Sequence, residues 1–330
     1  MKTLISCCVC MLMVCVGKDA FAKIWRVNNG GASADFTDMN SAIAAASAGD
    51  TIQVEGSNTP YNFTNAKKLI FIGPGYLLTK NPKTQFDPNS ANVYGTFSPG
   101  SDGSVLMGFV LYSTISLEAN NVKICRNDGN GNTIQIGDNT GNTYSNDTIE
   151  QNYYVAISYT GTAVISNLQV NNNMLYYVTL PVTNVTGVFY NNIVNSTLTL
   201  SNFLLENNII DGDTTGIAST NVFKNNILYN GTTTAVNGNG NFYVAPFTNI
   251  FVDWTDLFTS TTGTDGDAVL KTGSPAIGKG VGGVNLGVFS GALTYVLSGM
   301  PPVPSIYQLS VPNTINTSPM PVTISIASHN

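Results

Sequence analysis

A short phrase recurs through the middle of the sequence: an apolar residue, a variable residue, and a pair that ends in asparagine. The final asparagines are separated by 25, 21, 19, 16 and 18 residues. Self-similarity at about twenty residues is typical of a solenoid, in which each repeat forms one coil that packs on its neighbours. The phrase occupies Ile124–Asn127, Ile149–Asn152, Val170–Asn173, Phe189–Asn192, Leu205–Asn208 and Phe223–Asn226.

The composition of the repeat favours strands over helices. The coils are rich in Val, Ile, Thr, Asn and Gly, which suit strands and bends. Alternation along a strand places Phe203, Leu205 and Asn207 on one face. Because Asn tolerates the left-handed backbone conformation, one Asn per coil is expected at a bend, and the stacked amides are expected to hydrogen-bond in a ladder. The apolar residues that open the phrases are expected to form one buried stack.

Three further phrases in the sequence resemble those of a known group of proteins. Ala45–Val54, Gly73–Tyr76 and Gly273–Gly278 are similar to phrases of the exported β-helix repeat proteins common in Bacteroidota. The coils from about residue 50 to 250 resemble the right-handed parallel β-helix of pectate-lyase-like proteins more generally. The resemblance implies an all-β solenoid and no particular activity. A leucine-rich repeat would need regularly spaced leucines, which are absent from the sequence.

The N-terminus has the pattern of a signal peptide. Lys2 precedes an apolar run at Leu4–Val16, and Ala20–Ala22 offers a cleavage site, so residues 1–22 are expected to be removed and the chain exported. Lipoprotein processing at Cys15 is the alternative. No later stretch approaches the ~18 apolar residues of a membrane-spanning helix. Residues 23–290 are expected to form the β-helix with its cap, and residues 291–330 a C-terminal extension with terminal strands.

Both ends of the solenoid are expected to be covered. Met39, Ala42, Ile43 and Ala46 keep the spacing of one helix face, with Thr37 as the start signal and Gly49 as the stop signal. A short helix here would cap the first coil. At the other end, Ile306–Val311 and Val322–Ala327 are expected to form a β-hairpin that covers the far end.

Two segments are expected to leave the coil. Gly73–Gly103 contains several prolines, and Asp128–Asn146 contains several glycines. Long loops on rigid scaffolds often carry function. The second loop is expected to cover Cys125, the one cysteine that survives processing, and to leave it unpaired and slow to react.

Composition excludes several classes of function. The formal net charge of −6 argues against nucleic acid or an anionic membrane surface as partner. The single histidine, His329, lies next to the last residue. Serine triads, Cys–His dyads and His-bearing zinc sites therefore lack a base or a ligand, and no role is expected for His329.

The charged residues of the coils offer few catalytic candidates. The resemblance to pectate lyases implies an acidic calcium cluster and an Arg or Lys base. Arg126 is the candidate base, although its place in an Asn-type pair favours a role in a bend or ladder. Asp211 with Asp213, and Asp265 with Asp267, could each offer two carboxylates to calcium. Calcium needs six to eight oxygen ligands, so Asx–Gly turns are favoured at both places.

Tyrosines near the bends suggest a different function. Their rings could stack on sugars while Asn and Thr bond hydroxyl groups. The glycan-binding candidates are Tyr154, Tyr177, Tyr190 and Tyr229.

Two hypotheses follow. The first is an exported, non-catalytic β-helix at the cell surface or outside the cell that binds glycan, adheres or acts as a structural module, without a cofactor. The alternative is a calcium-dependent lyase acting on acidic polysaccharide. An uncharged Asn/Thr face with exposed tyrosines would favour the first, and an acidic cluster near Arg126 the second.

Overall fold

The computed structural model describes residues 22–180, 183–213, 217, 219–230, 238–244, 246–258, 262–312 and 320–329, with Asp213, Tyr229 and Asn230 described by their backbone alone. The proposed signal peptide therefore lies almost wholly outside the described residues. Within them the chain is a parallel β-solenoid with one α-helix, α1 (Met39–Ala45). None of the described helices is long and apolar enough to cross a membrane.

The strands are short and follow one another at coil spacing. In chain order they are β1 Ile24–Val27, β2 Thr51–Val54, β3 Ser57–Asn65, β4 Ile70–Ile72, β5 Ala91–Phe97, β6 Val105–Met107, β7 Val110–Leu117, β8 Lys123–Cys125, β9 Thr133–Ile136, β10 Thr143–Ser145, β11 Thr148–Glu150, β12 Val155–Tyr159, β13 Val164–Asn171, β14 Met174–Leu180, β15 Val185–Tyr190, β16 Ile193–Val194, β17 Leu198–Leu200, β18 Phe203–Glu206, β19 Ile209–Asp213, β20 Val222–Lys224, β21 Ile227–Asn230, β22 Phe242–Tyr243, β23 Ser305–Ser310 and β24 Thr323–Ala327. Short 3-10 turns lie at Phe247–Asn249, Asp265–Ala268, Val281–Gly283 and Leu297–Gly299.

Two parallel sheets form the wall of the solenoid. Sheet A runs in the order β1-β2-β4-β6-β8-β11-β13-β15-β18-β20, with β10 paired to β13. Sheet B runs in the order β3-β5-β7-β9-β12-β14-β16-β19-β21-β22, with β17 paired to β14. Successive coils contribute a strand to each sheet, so the chain advances by one rung, about 4.8 Å, per coil.

The predicted apolar stack is confirmed. Ile124, Ile149, Val170, Phe189, Leu205 and Phe223 are register partners on successive strands of sheet A. All are buried. The stack continues below the repeat through Leu106, Phe71 and Ile52, in coils that lack the phrase.

The asparagine ladder is also confirmed, with its two roles divided between the members of each pair. The first member has the left-handed conformation: φ is 56° at Arg126, 55° at Gln151 and 54° at Asn172. The second member points inward. Its amide nitrogen donates to the carboxamide oxygen of the equivalent Asn one coil later, as from Asn152 to Asn173 at 2.9 Å. The ladder comprises Asn127, Asn152, Asn173, Asn192, Asn208, Asn226 and Asn241.

Helix α1 covers the first coil, as predicted, and buries Met39, Ala42 and Ile43. Its predicted start and stop signals are wrong. Asp38 caps the helix, because its carboxylate accepts a 2.8 Å hydrogen bond from the backbone N–H of Ser41. The helix ends at Ala45, several residues before Gly49.

The two predicted loops each include strands of the wall, so the prediction that they leave the coil holds only for the residues between those strands. Residues 73–103 contain β5 of sheet B, and residues 128–146 contain β9 of sheet B and β10 of sheet A. Within the first segment, residues 73–90 and 98–103 lack a strand. The sequence predicts loops here because these strands are short, are flanked by Gly and Pro, and lack the repeated phrase.

After the last coil the chain returns along the outside of the solenoid. Residues 279–300, here called the strap, follow the turns that lead from sheet A to sheet B. The side chains of the left-handed turn residues hold the strap through hydrogen bonds to or from its backbone. These bonds join Asn225 to Lys279, Asn207 to Val281, Asn172 to Val288 and Ser290, Gln151 to Thr294 and Arg126 to Met300.

A second apolar core lies beneath this returning chain. The first residues of successive sheet B strands point outward and form the column Met174, Ile193, Ile209 and Ile227. Phe247, Ile250, Phe251, Leu257 and Val288 pack against this column. The returning chain thus covers one edge of sheet B.

Strands β23 and β24 form the predicted antiparallel hairpin. Its predicted place at the far end is wrong. The Ser305 hydroxyl donates to the Thr84 carbonyl at 2.6 Å, and the Phe86 N–H donates to the Ile306 carbonyl at 2.7 Å. The strap carries the chain back towards the early coils before the hairpin begins.

Candidate functional site

The outer face of sheet B carries a row of uncharged polar side chains. They are register partners on successive strands, and each lies between two inward-facing residues. The row comprises Thr64, Thr96, Ser116, Gln135, Ser158, Thr179 and Thr199. Thr64 is exposed and the others are half-buried. The row therefore presents one hydroxyl or amide group per rung, at intervals of about 4.8 Å.

Tyrosines stand beside this row. Tyr94 and Tyr112 lie on neighbouring strands with ring centroids 5.9 Å apart, and they are 38% and 59% exposed. Three coils beyond Tyr112, the half-buried Tyr177 has its hydroxyl 3.2 Å from that of Thr133. Exposed aromatic rings next to hydroxyl groups are the components of a sugar-binding surface.

A β-bulge brings Tyr177 to this face. Val155 pairs with Leu175, but Ile157 pairs with Val178, so Tyr176 and Tyr177 together oppose Ala156. A bulge adds one residue to a strand and changes the direction of its side chains. Both tyrosine rings are half-buried and lie 5.4 Å apart.

The bulge connects the polar row to an aromatic cluster at the edge of the returning chain. Tyr176 contacts Tyr154 at 5.3 Å between ring centroids, and Tyr154 contacts Phe258 at 5.6 Å. Phe258 in turn contacts Trp254 at 5.7 Å. Burial raises the pKa of Asp211 to about 6, and a hydrogen bond with Trp254 partly offsets this rise. Asp211 is thus a carboxyl group with a raised pKa at this cluster.

The predicted glycan-binding tyrosines fall into separate places. Tyr154 and Tyr177 are joined through Tyr176 on the sheet B side. Tyr190 lies on sheet A, between Asn171 and Glu206 in the register. The side chain of Tyr229 lies outside the described residues.

Arg126 is occupied in structural contacts. Its guanidinium donates to the Gln151 carboxamide at 2.8 Å, to the Met300 carbonyl at 3.0 Å and to the His329 carbonyl at 3.3 Å. It lies at the turn from sheet A to sheet B, beneath the strap and the chain end. Its backbone has the left-handed conformation expected of a bend.

The aspartates proposed as calcium ligands have separate environments. Asp267 accepts a hydrogen bond from the Thr264 N–H at 2.7 Å and caps a 3-10 turn. Asp265 is buried and accepts bonds from the Asn81 side chain at 2.7 Å and the Ser298 N–H at 2.6 Å. The side chain of Asp213, the partner proposed for Asp211, lies outside the described residues. Among those described, no group of three or more His, Cys, Asp and Glu side chains could hold a metal ion.

Asp265 belongs to a buried polar network between the wall and the strap. The Tyr295 hydroxyl donates to Asp265 at 3.2 Å and hydrogen-bonds the Tyr76 hydroxyl. Burial raises the pKa of Asp265 to about 6. Burial also raises the pKa of Asp128 to about 7, and the nearby negative charge of Asp265 adds to this rise.

His329, for which no role was expected, lines a cavity of about 660 Å³ together with Lys83 and Tyr295. The cavity lies between the loop at residues 81–84, the strap and the chain end. The Nε2 atom of His329 is 3.4 Å from the Ser305 hydroxyl. The histidine therefore belongs to the packing of the hairpin against the strap.

Sequence reasoning missed the polar row, Tyr94, Tyr112, Trp254 and Phe258. The row is visible in the sequence only as single polar residues between apolar ones, as in Leu198–Leu200 and Val178–Leu180. Its alignment depends on the register between coils of unequal length. Trp254 and Phe258 come from the returning chain, which has no repeat.

No protein-family model, curated protein or solved structure matches the chain.

Proposed function

We propose that this chain is an exported, non-catalytic β-solenoid that binds a polysaccharide on the outer face of sheet B. The observation that carries the proposal is the register-aligned row of uncharged Thr, Ser and Gln side chains with exposed tyrosines beside it. The row offers a hydrogen-bonding group at each rung, and the spacing of about 4.8 Å is close to the length of one sugar unit.

The chemistry of the face favours a neutral ligand. The row contains no charged residue to pair with a uronate or a sulfate group. Tyrosine rings supply apolar area to the faces of sugar rings at low entropic cost, while hydroxyls and amides bond to sugar hydroxyl groups. Because the row is a single line of side chains, it favours a linear polysaccharide that runs along the solenoid axis.

Export rests on the signal-peptide pattern of residues 1–22. The resemblance to exported β-helix proteins of Bacteroidota, and to pectate-lyase-like β-helices, supports the same location. A surface or extracellular position would bring the open face of sheet B into contact with polysaccharide.

A glycan array followed by calorimetry with the best neutral ligand tests the proposal. Tyr112→Ala and Tyr177→Ala are each expected to weaken binding about fivefold, because an aromatic contact contributes roughly 1 kcal/mol. Tyr190→Ala, on sheet A, is the matched control and should leave the affinity unchanged. Failure to bind any glycan, or an equal loss in the Tyr190 variant, would contradict the proposal.

A polysaccharide lyase remains the second candidate because Asp211, with its pKa raised to about 6, lies beside the aromatic cluster. A carboxyl group that titrates near neutral pH is suited to accept a proton. Lyase action on uronate polymers leaves an unsaturated sugar that absorbs in the ultraviolet. Assays with and without calcium should give no such absorbance if the first proposal is right. Absorbance that disappears in Asp211→Asn would favour the lyase.

A further inference from the structure

The C-terminal hairpin exposes an apolar face. Ile306, Leu309, Val311, Val322, Ile324 and Ile326 are each between 41% and 62% exposed. Ile306 pairs with Ile326 and Leu309 with Ile324, and alternation places Val322 on the same side as Ile324. Phe86, whose backbone hydrogen-bonds Ile306, is 60% exposed beside them.

At its end near Ser305 and Ala327, the hairpin has the reverse of the usual amphipathic arrangement. Ser325 and Ala327, which alternate with the exposed isoleucines, are half-buried, and the Ser305 hydroxyl bonds the body of the protein at Thr84. A sheet with one apolar face is normally stable only when another layer covers that face, and a lone two-stranded hairpin is marginal in water. We therefore expect another apolar surface to cover the exposed face of the hairpin.

We propose that this face pairs with the same face of a second copy of the chain. Residues 305–312 and 320–328 contain no Asp, Glu, Lys or Arg, so a charged partner would find no complement there. Self-pairing places apolar groups on both sides and brings no like charges together at the contact. Two hairpins packed face to face form a small two-layer sandwich with two-fold symmetry.

A membrane surface fits the same face less well. Interfacial anchors usually combine apolar residues with Lys and Arg that attract anionic lipids. The hairpin lacks such residues, and the chain has a net charge of −6. Electrostatics would therefore oppose the approach to an anionic bilayer.

The apolar area that the two hairpins can bury limits the affinity of the dimer. Covering half of each aliphatic side chain would bury roughly 300 Å² per copy. Stable interfaces bury ≈ 800 Å² per partner, so the dimer belongs to the weak class. We expect a reversible dimer with a dissociation constant of about 10 µM to 1 mM.

The two-fold symmetry makes a specific geometric prediction. Leu309 and Ile324 form the middle pair of the face and would lie near the axis, so Ile324 of one copy would approach Ile324 of the other. Ile324→Cys should form a disulfide-linked dimer on mild oxidation. Ser325→Cys, which points to the opposite side, should not.

Sedimentation equilibrium of the purified protein tests the pairing. Ile324→Thr and Ile326→Thr keep β-branched residues in the strand and should each weaken dimerisation at least tenfold. Thr323→Val, on the other side of the hairpin, is the control. Unchanged thermal unfolding would show that the variants still fold.

A protein that stays monomeric to about 1 mM, or a dimer that survives in both threonine variants, would overturn the proposal. Flotation with neutral or anionic lipid vesicles that is lost in Ile326→Thr would also overturn it, in favour of a membrane. The result is independent of glycan binding, since the polar row lies on sheet B.

Discussion

The ladder and the strap use the same chemical group in opposite ways. In the ladder, each Asn occupies the same place in its coil and bonds its own copy one rung away, so one geometry is repeated through the core. In the strap, the neighbouring side chains of the same turns bond backbone carbonyls and N–H groups that differ at every contact. In five of the six pairs of the repeat, one residue holds the coils together and the other holds the returning chain.

The ladder and the strap also differ in how much their hydrogen bonds contribute to the free energy of unfolding. The ladder amides are buried and satisfy several donors and acceptors at once, so losing one leaves partners without bonds in the core. Apart from the buried bonds of Asn172, the strap bonds lie nearer the surface, where water can replace a lost partner. We therefore expect large, global effects from changes in the ladder and small, local effects from changes in the strap.

The largest effect is expected at the centre of the ladder. Asn173 accepts bonds from the backbone and side chain of Asn152 and donates to Asn192 and to the Ile149 carbonyl. Asn173→Ala leaves these buried groups unpaired, so the free energy of unfolding should fall by about 3–6 kcal/mol. Urea denaturation measures this change.

Asn241 supplies the control at the end of the ladder. It is half-buried and has no further Asn above it in the described residues. Asn241→Ala should cost only about 1 kcal/mol. Equal losses at Asn173 and Asn241 would mean that the ladder is not a cumulative buried network.

The contrast also explains which parts of the fold could be predicted. The stack from Ile124 to Phe223 and the ladder from Asn127 to Asn226 were predictable, since repeated residues imply repeated positions. Asn241 was missed because Gly238–Asn241 lacks the apolar residue that opens the phrase. The strap could not be predicted, since Arg126 and Met300 meet across 174 residues with no shared pattern.

The candidate site was only partly predictable, for the same reason. Tyr154 and Tyr177 were identified by their places near the bends, but the register that aligns Thr96 with Ser116 and Thr179 is set by bulges that the sequence does not mark. The hairpin strands were correctly placed in the sequence. Their position beside Thr84 followed from the strap and was predicted wrongly.

The next largest effect is a dependence of stability on pH, which arises from the buried carboxyl groups between the wall and the strap. Burial raises the pKa of Asp128 to about 7 and that of Asp265 to about 6. The folded chain therefore binds protons more tightly than the unfolded chain between about pH 4 and 7. This contribution to stability is fully present below about pH 4 and is lost as the pH rises from about 4 to 7. The melting temperature should be about 3–6 °C higher at pH 5 than at pH 8.

Asp128→Asn tests the origin of this slope, because Asn cannot ionise but retains the oxygen that accepts the Asn130 N–H. The variant should show a smaller difference between pH 5 and pH 8. Asp87→Asn, at an exposed position, should keep the full difference. A melting temperature that rises from pH 5 to pH 8 in the unmodified protein would contradict the expectation.

A smaller, local effect is expected at Arg126. Arg126→Gly removes the guanidinium but keeps the left-handed backbone at low cost, since glycine adopts positive φ readily. Hydrogen exchange should become faster in residues 300–312 and 323–329, where the guanidinium holds the Met300 and His329 carbonyls. Exchange in β8 and β11 should change little. Faster exchange throughout the wall would show that Arg126 supports the coils themselves.

The smallest expected effect is the slow reaction of Cys125. The residue is buried and free of disulfide, and burial raises the pKa of its thiol to about 12. Thiolate is the reactive form, so the folded protein should label very slowly. In the register of sheet A the thiol lies between Met107 and Glu150, next to the Lys123–Glu150 ion pair. Segment 128–146, which was expected to cover it as a loop, contains β9 and β10 of the wall.

The labelling experiment is best done on the chain that begins at Lys23, in which Cys125 is the only thiol. Tyr112→Cys adds an exposed site on sheet B and should label rapidly at the same pH, which makes it the internal control for reagent access. Unfolding in urea should bring Cys125 to the rate of that control. Because the thiol belongs to the wall, Arg126→Gly should leave its rate unchanged even while the strap loosens. Rapid labelling in that variant would show that the strap, and not the sheet, protects Cys125, and would remove the distinction drawn between the two regions.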